Sequence, residues 1–66
     1  MIVYGRNSSY EILKNGKSVK KVYLDRKFSD KTLISLIEKL KIEPILCTKF
    51  ELDELANGNH QGIIVD

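Results

Sequence analysis

The chain has little with which to staple itself. Its 66 residues include one cysteine, Cys47, and one histidine, His60. A lone cysteine excludes an intrachain disulfide. A structural zinc wants about four Cys/His-type ligands, which one of each cannot supply. The core must come from packed elements alone, in a chain short enough to bury only about 60% of the surface its unfolded form exposes. There is no glycine-rich phosphate loop and no G-x-S-x-G elbow. No apolar run approaches the ~20 residues of a membrane-spanning helix, and Met1-Ile2-Val3-Tyr4 lacks the charged start and long apolar stretch of a secretory signal. One domain without a membrane segment is expected, and a single buried-looking thiol fits a reducing cytoplasm. Nucleophilic catalysis has little support. Cys47 lies inside an apolar run, far in sequence from His60, and a thiol in apolar surroundings is inert. Aromatics are sparse: Tyr4, Tyr10, Tyr23, Phe28 and Phe50. None sits in a strand pattern resembling the stacking platforms of single-strand binders, and their positions read as core.

What is present is an ordinary globular composition, 42% hydrophobic and 30% charged. The net charge of +2 permits nucleic-acid binding without demanding it. Its distribution says more. Arg6, Lys14, Lys17, Lys20, Lys21, Arg26, Lys27 and Lys31 crowd the first half against Glu11, Asp25 and Asp30, which gives the chain the means to make one positive face.

The apolar pattern alternates between strand and helix. Ile2-Val3-Tyr4 reads as a strand ending at Gly5. Ser8 followed by Glu11 is a capping box for a first helix, closed by Asn15-Gly16 through a left-handed cap. Val19 to Leu24 reads as a second strand. Ser29 or Asp30 caps the strongest helix, whose Leu33, Leu36, Ile37 and Leu40 follow the i, i+3, i+4, i+7 spacing; Pro44 lies just beyond its end. Ile45-Leu46-Cys47 has no polar alternation, as expected of a strand covered on both faces. Thr48 and Glu51 form a second capping box, with Phe50, Leu52 and Leu55 as the apolar side of a short helix that Asn57-Gly58 stops. Gly62-Ile63-Ile64-Val65 is the fourth strand. The order β-α-β-α-β-α-β predicts an α/β domain, a four-stranded mixed sheet with helices on both faces.

Two polar tracts stand out. Gly5-Arg6-Asn7 joins the first strand to the first helix, where functional loops of α/β sheets concentrate. Arg6 there offers a planar fork of donors for phosphate or carboxylate. The plainer reading is a helix cap beside a solvated arginine. Asn59-His60-Gln61-Gly62 packs several donors and acceptors between a turn and an apolar strand. It reads as a recognition or docking loop, or as a turn bonded to its own backbone. Lys14, Lys17, Lys20 and Lys21 put four cations within eight residues. They suit a phosphate backbone, although a solvated loop is the commoner explanation of such a run. If the first and fourth strands are antiparallel neighbours, Gly5-Arg6-Asn7 and Asn59-His60-Gln61 form one surface patch.

Taken in order, Val3-Tyr4-Gly5-Arg6-Asn7, Glu11-Ile12-Leu13, Val22-Tyr23-Leu24 and the Asn59-His60-Gln61-Gly62 finish resemble the N-terminal substrate-binding domain of SpoU/TrmH-type RNA 2′-O-ribose methyltransferases, over essentially the whole chain. The resemblance implies a small α/β/α sandwich similar to kink-turn-binding ribosomal proteins, which helps to position ribosomal RNA. It implies a further C-terminal domain with a trefoil knot that binds S-adenosylmethionine, dimerises and methylates a ribose 2′-hydroxyl, often of a guanosine in large-subunit ribosomal RNA. Ser8-Ser9-Tyr10 departs from the apolar or proline residues common after the Arg-Asn pair.

No catalytic, metal or cofactor residue carries over onto these positions. Residues 1–66 are therefore expected to be a piece of a longer enzyme, its knotted domain beyond Asp66. The candidate RNA contacts are Arg6, Asn7, Lys14, Lys17, Lys20, Lys21, Asn59, His60 and Gln61, with Gly5 and Gly62 shaping the turns. The competing readings are a loop that docks on the catalytic domain or the other subunit, and a free-standing RNA-binding module.

Overall fold

The computed structural model describes residues 2–15 and 18–66. Seven elements follow one another: β1 (Val3–Tyr4), α1 (Arg6–Lys14), β2 (Val22–Asp25), α2 (Lys31–Lys39), β3 (Ile45–Cys47), α3 (Lys49–Leu55) and β4 (Ile63–Val65). The strands form one sheet in the order β1-β4-β2-β3. β4 pairs antiparallel with β1, Val3 facing Val65 and Tyr4 facing Ile64, and antiparallel with β2, Tyr23 facing Ile64. β2 and β3 are parallel, with Leu24 facing Leu46. The sheet is therefore mixed, as the sequence predicts.

Side chains alternate across the sheet, and each face makes its own half of the core. On one face Val22, Leu24, Ile63 and Val65 meet Leu13 of α1 and Leu33 and Ile37 of α2. On the other, Ile64 and Cys47 meet Leu52 and Ala56 at α3, with Tyr4 and Tyr23 against them. Full burial of each Val, Leu or Ile contributes about 1.5–3 kcal/mol, so β4, buried along its whole length, holds both halves together.

The ends of the elements differ from the sequence reading in instructive ways. α1 begins at Arg6, not after a Ser8 cap. Gly5, at φ +94°, lets the chain turn straight from strand into helix, a conformation that a Cβ would strain. Ser8 and Ser9 thus fall inside the helix. The predicted left-handed cap rests on Gly16, which lies outside the described residues. β2 starts at Val22 rather than Val19. There the ladder to β4 closes, and the N–H groups of Lys20 and Lys21 both converge on the Asp66 carbonyl at 2.7 and 3.1 Å.

Asp30, rather than Ser29, caps α2 by accepting from the Leu33 N–H. The helix closes before Pro44. Lys41 takes a left-handed φ of +60°, and its N–H and that of Ile42 bond back to the carbonyls of Glu38 and Ile37, the paired arrangement of a Schellman cap. Leu40 is left exposed at that cap. α3 carries the expected capping box between Thr48 and Glu51.

Two expectations fail. β3 is not covered on both faces: as an edge strand it leaves Ile45 42% and Leu46 57% exposed and buries only Cys47. The strand buried on both faces is β4. Phe50 is not core either. It projects from α3 roughly opposite Leu52 at 100° per residue and is 72% exposed, and Leu55 is exposed as well.

Ser9 is fully buried, and its hydroxyl has no hydrogen-bond partner among the described residues. A desolvated, unpaired hydroxyl costs about 1–3 kcal/mol. Ser9→Ala is expected to raise the urea midpoint, adding about 1 kcal/mol of stability. A lowered midpoint would show that the hydroxyl has a partner in solution.

Candidate nucleic-acid interface

Because β4 runs against the other three strands, the carboxyl ends of β1, β2 and β3 gather at one end of the sheet together with the amino end of β4. Ligands of open α/β sheets bind at such carboxyl ends. An open groove of about 520 Å³ lies there, lined by residues that include Arg6, Asp25, Lys27, Phe28, Asn59 and Gln61.

The two polar tracts meet at this groove, as antiparallel neighbours must. The Gln61 side-chain Oε1 accepts the Arg6 backbone N–H at 2.7 Å, across 55 positions of sequence. Gln61 thus supplies the cap that α1 lacks locally, satisfying one of the N–H groups that every helix start leaves unpaired. Gly5 N–H reaches the Ile63 carbonyl at 3.2 Å. Asn59 Oδ1 accepts from the Gln61 N–H at 3.3 Å. Gln61 and Gly62 are both left-handed, at φ +54° and +87°. Gly62 is required twice over, since a Cβ there would also stand 3.1 Å from the Phe28 ring.

His60 is turned inward and buried. Its Nδ1 accepts the Gly62 N–H at 2.9 Å, and its Nε2 lies 2.6 Å from Asp53 Oδ1. An Nδ1 that accepts carries no hydrogen, so the neutral ring holds its proton on Nε2 and donates to Asp53. His60 is a strut beneath the loop, with both ring nitrogens committed.

The remaining sequence candidates divide between the two ends. Arg6 is exposed, its guanidinium only loosely paired with Asp30 at 3.8 Å, and Asn7 is exposed on the first turn of α1. Lys14 lies eight residues further along α1, about 12 Å by helical rise, with its ammonium 5.6 Å over the Tyr10 ring. Lys20 and Lys21 flank Asp66, at the opposite end of the sheet from the groove. Lys17 lies outside the described residues. Lys14, Lys20 and Lys21 therefore lie apart from the two-loop patch.

The sequence reading passed over Asp25, Lys27, Phe28, Lys49 and Asp53, all of which line the groove. The strand-end argument applied to Gly5-Arg6-Asn7 would have found the residues after β2 and β3 as well. Lys27 N–H bonds Asp25 Oδ1 at 2.8 Å, and Lys49 Nζ pairs with Asp53 Oδ2 at 3.0 Å.

Charge and burial shift three groups. Burial, followed by nearby Glu51, pushes the Cys47 thiol above its ordinary value, which keeps it protonated and unreactive at neutral pH. The Asp53 carboxyl is held below the usual range by the hydrogen bonds from His60 and then Lys49. Glu51 is held down by the Thr48 backbone N–H and then the Thr48 side chain. A carboxyl lowered on folding contributes stability that is fully present above its unfolded value, near pH 4, and is lost as pH falls through the folded value. Melting temperature is accordingly expected to drop as pH falls below about 4, and Asp53→Asn is expected to flatten part of that drop. An unchanged acid profile in Asp53→Asn would contradict the His60–Asp53–Lys49 arrangement.

Comparison with known proteins identifies the family of the chain. Residues 2–66 match the family model described as RNA 2′-O ribose methyltransferase substrate binding. Over 49 residues the chain is 41% identical to the 23S rRNA (guanosine-2′-O-)-methyltransferase RlmB of Coxiella burnetii (strain RSA 493 / Nine Mile phase I), a match that covers 70% of this chain and 20% of the relative. The chain thus spans about a fifth of the curated relative it matches. With a family model matched over almost its full length and a groove where α/β sheets take their ligands, the chain belongs to the substrate-binding family of RNA 2′-O ribose methyltransferases.

Proposed function

We propose that this domain recognises ribosomal RNA through the groove at the strand ends, and so delivers a ribose 2′-hydroxyl to a methyl-transferring domain of the same protein. The observation that carries the reading is the Gln61–Arg6 hydrogen bond. It fixes an exposed arginine beside an exposed carboxamide loop, on a rigid scaffold. Arg6 contacts phosphate or a base edge. Asn7, Asn59 and Gln61 add hydrogen bonds, and His60 holds the loop that presents two of them. Lys14, Lys20 and Lys21 contribute salt-sensitive attraction from elsewhere on the surface, and Lys17 adds to the charge of the same tract.

The relative is named for 2′-O-methylation of a guanosine in 23S rRNA, which supports a large-subunit guanosine as the target and a cytoplasmic setting. Methyl transfer requires a donor, S-adenosylmethionine. That cofactor belongs to the partner domain, a C-terminal knotted fold, and the catalytic residues belong there with it. A homodimer presenting two copies of this mildly charged domain would gain avidity that one copy lacks. Docking of the Asn59–Gly62 loop on the catalytic domain or the other subunit is the competing use of the same loop. It differs in leaving Arg6 free of RNA.

The Arg6 side chain takes no part in capping α1, which uses the backbone N–H. Arg6→Ala therefore removes the contact and keeps the fold. Affinity for ribosomal RNA fragments, measured across a salt series, is expected to fall. The slope of log K against log salt should lose about one unit if phosphate is the partner. Unchanged binding at every salt concentration would sink the assignment of Arg6.

A further inference from the structure

The groove is not built as a phosphate track. Arg6, Lys27 and Lys49 line it, but so do Asp25, Asp30 and Asp53, so cations and carboxylates balance. A strand of phosphates calls for a positive excess. Balanced charge suits a neutral ligand that carries both donors and acceptors.

The hydrogen bonds within the walls decide which polar atoms remain for such a ligand. Gln61 spends its oxygen on the Arg6 N–H and Asn59 spends its own on the Gln61 N–H. Both partners are backbone donors, so neither amide can be flipped, and each side chain has its NH₂ group left to donate. In the same groove, after β2, Asp25 Oδ1 accepts from Lys27 N–H, and Oδ2 remains to accept. The aromatic ring of Phe28 lines the same groove. A Cβ placed on Gly62 would lie 3.1 Å from Phe28 Cδ1 and 3.4 Å from Asp25 Cβ, so Asp25, Phe28 and the end of the carboxamide loop are contiguous. The groove volume of about 520 Å³ falls in the range of small-ligand sites.

Amide donors, a carboxylate and an aromatic ring lining one groove match the edge and face of a single unstacked base. RNA-binding proteins read bases splayed out in this way. Among the purines, guanine alone presents O6 and N7 as adjacent acceptors while its amino group offers a donor, and cytosine, with O2 and N3 beside its own amino group, is the pyrimidine that competes. We infer that this groove takes one unstacked guanine of the RNA, with the Asn59 and Gln61 amides facing its acceptors and the Asp25 carboxylate facing its amino edge. The inference rests on the RNA-recognition reading above and adds the base to it.

The test measures fluorescence anisotropy of the 66-residue chain with short unstructured RNAs that differ at one site: guanosine, inosine, adenosine, cytidine or an abasic ribose. Guanosine is expected to bind tightest, and inosine, which lacks only the amino group, roughly tenfold more weakly. Asp25→Asn keeps an acceptor for the Lys27 N–H, so the turn survives. It is expected to erase the guanosine–inosine difference, with circular dichroism confirming the fold. Equal binding of all five RNAs, or cytidine bound as tightly as guanosine, overturns the guanine assignment and leaves RNA recognition standing. Binding of none overturns both. A guanosine–inosine gap that persists in Asp25→Asn overturns the role given to Asp25.

Discussion

The insertion of β4 between β1 and β2, antiparallel to both, is the constraint on which the molecule depends. Ile63 and Val65 belong to one half of the core and Ile64 to the other, so a single strand joins α1 and α2 to α3 through the sheet. The same insertion brings the start of β4 to the carboxyl ends of the three strands that oppose it. The candidate surface therefore assembles from loops more than fifty residues apart. Such non-local pairing must be closed before its contacts stabilise the chain, which is entropically costly and slows folding.

The loop before β4 is rigid for reasons that can be named. Gln61 caps α1, Asn59 holds the Gln61 backbone, and His60 ties the Gly62 N–H to Asp53 on α3. Both ring nitrogens of the inward-turned His60 are matched, so the loop is held in position before any ligand arrives. Preorganisation of this kind lowers the ordering cost of binding. It also explains how a domain of modest net charge can offer a specific surface. In the proposed recognition, oriented amides and a carboxylate carry the specificity, while Lys14, Lys20 and Lys21 lie elsewhere.

Much of the fold was legible because its signals are local. The Thr48–Glu51 capping box, the Asp30 cap and the Leu33–Ile37 stripe each occupy a few consecutive residues, and each is present. What misled was information stored at long range. Ser8 and Glu11 look like a cap, but Gln61 supplies one from across the sheet and moves the helix start back to Arg6. Ile45-Leu46-Cys47 and Ile63-Ile64-Val65 are nearly indistinguishable as strings, yet one is an edge strand and the other is central. Strand order decides their burial, and composition does not encode strand order. The meeting of the two polar tracts was deducible from one assumption about pairing. The inward turn of His60 was not, because it depends on Asp53 coming within hydrogen-bonding distance. Lys27, Phe28 and Lys49 were hidden only because the strand-end argument was applied to one strand of three.

The central claim is that RNA meets the domain at the strand-end groove and not at the lysine tract. Amide chemical shifts of the ¹⁵N-labelled chain, followed during titration with a ribosomal RNA fragment, test this directly. The account predicts that the largest changes fall on Arg6, Asn7, Lys27, Phe28 and Asn59 to Gly62, with small ones at Lys14, Lys20 and Lys21. Changes concentrated around Lys14, Lys20 and Lys21, with the groove residues undisturbed, would contradict it.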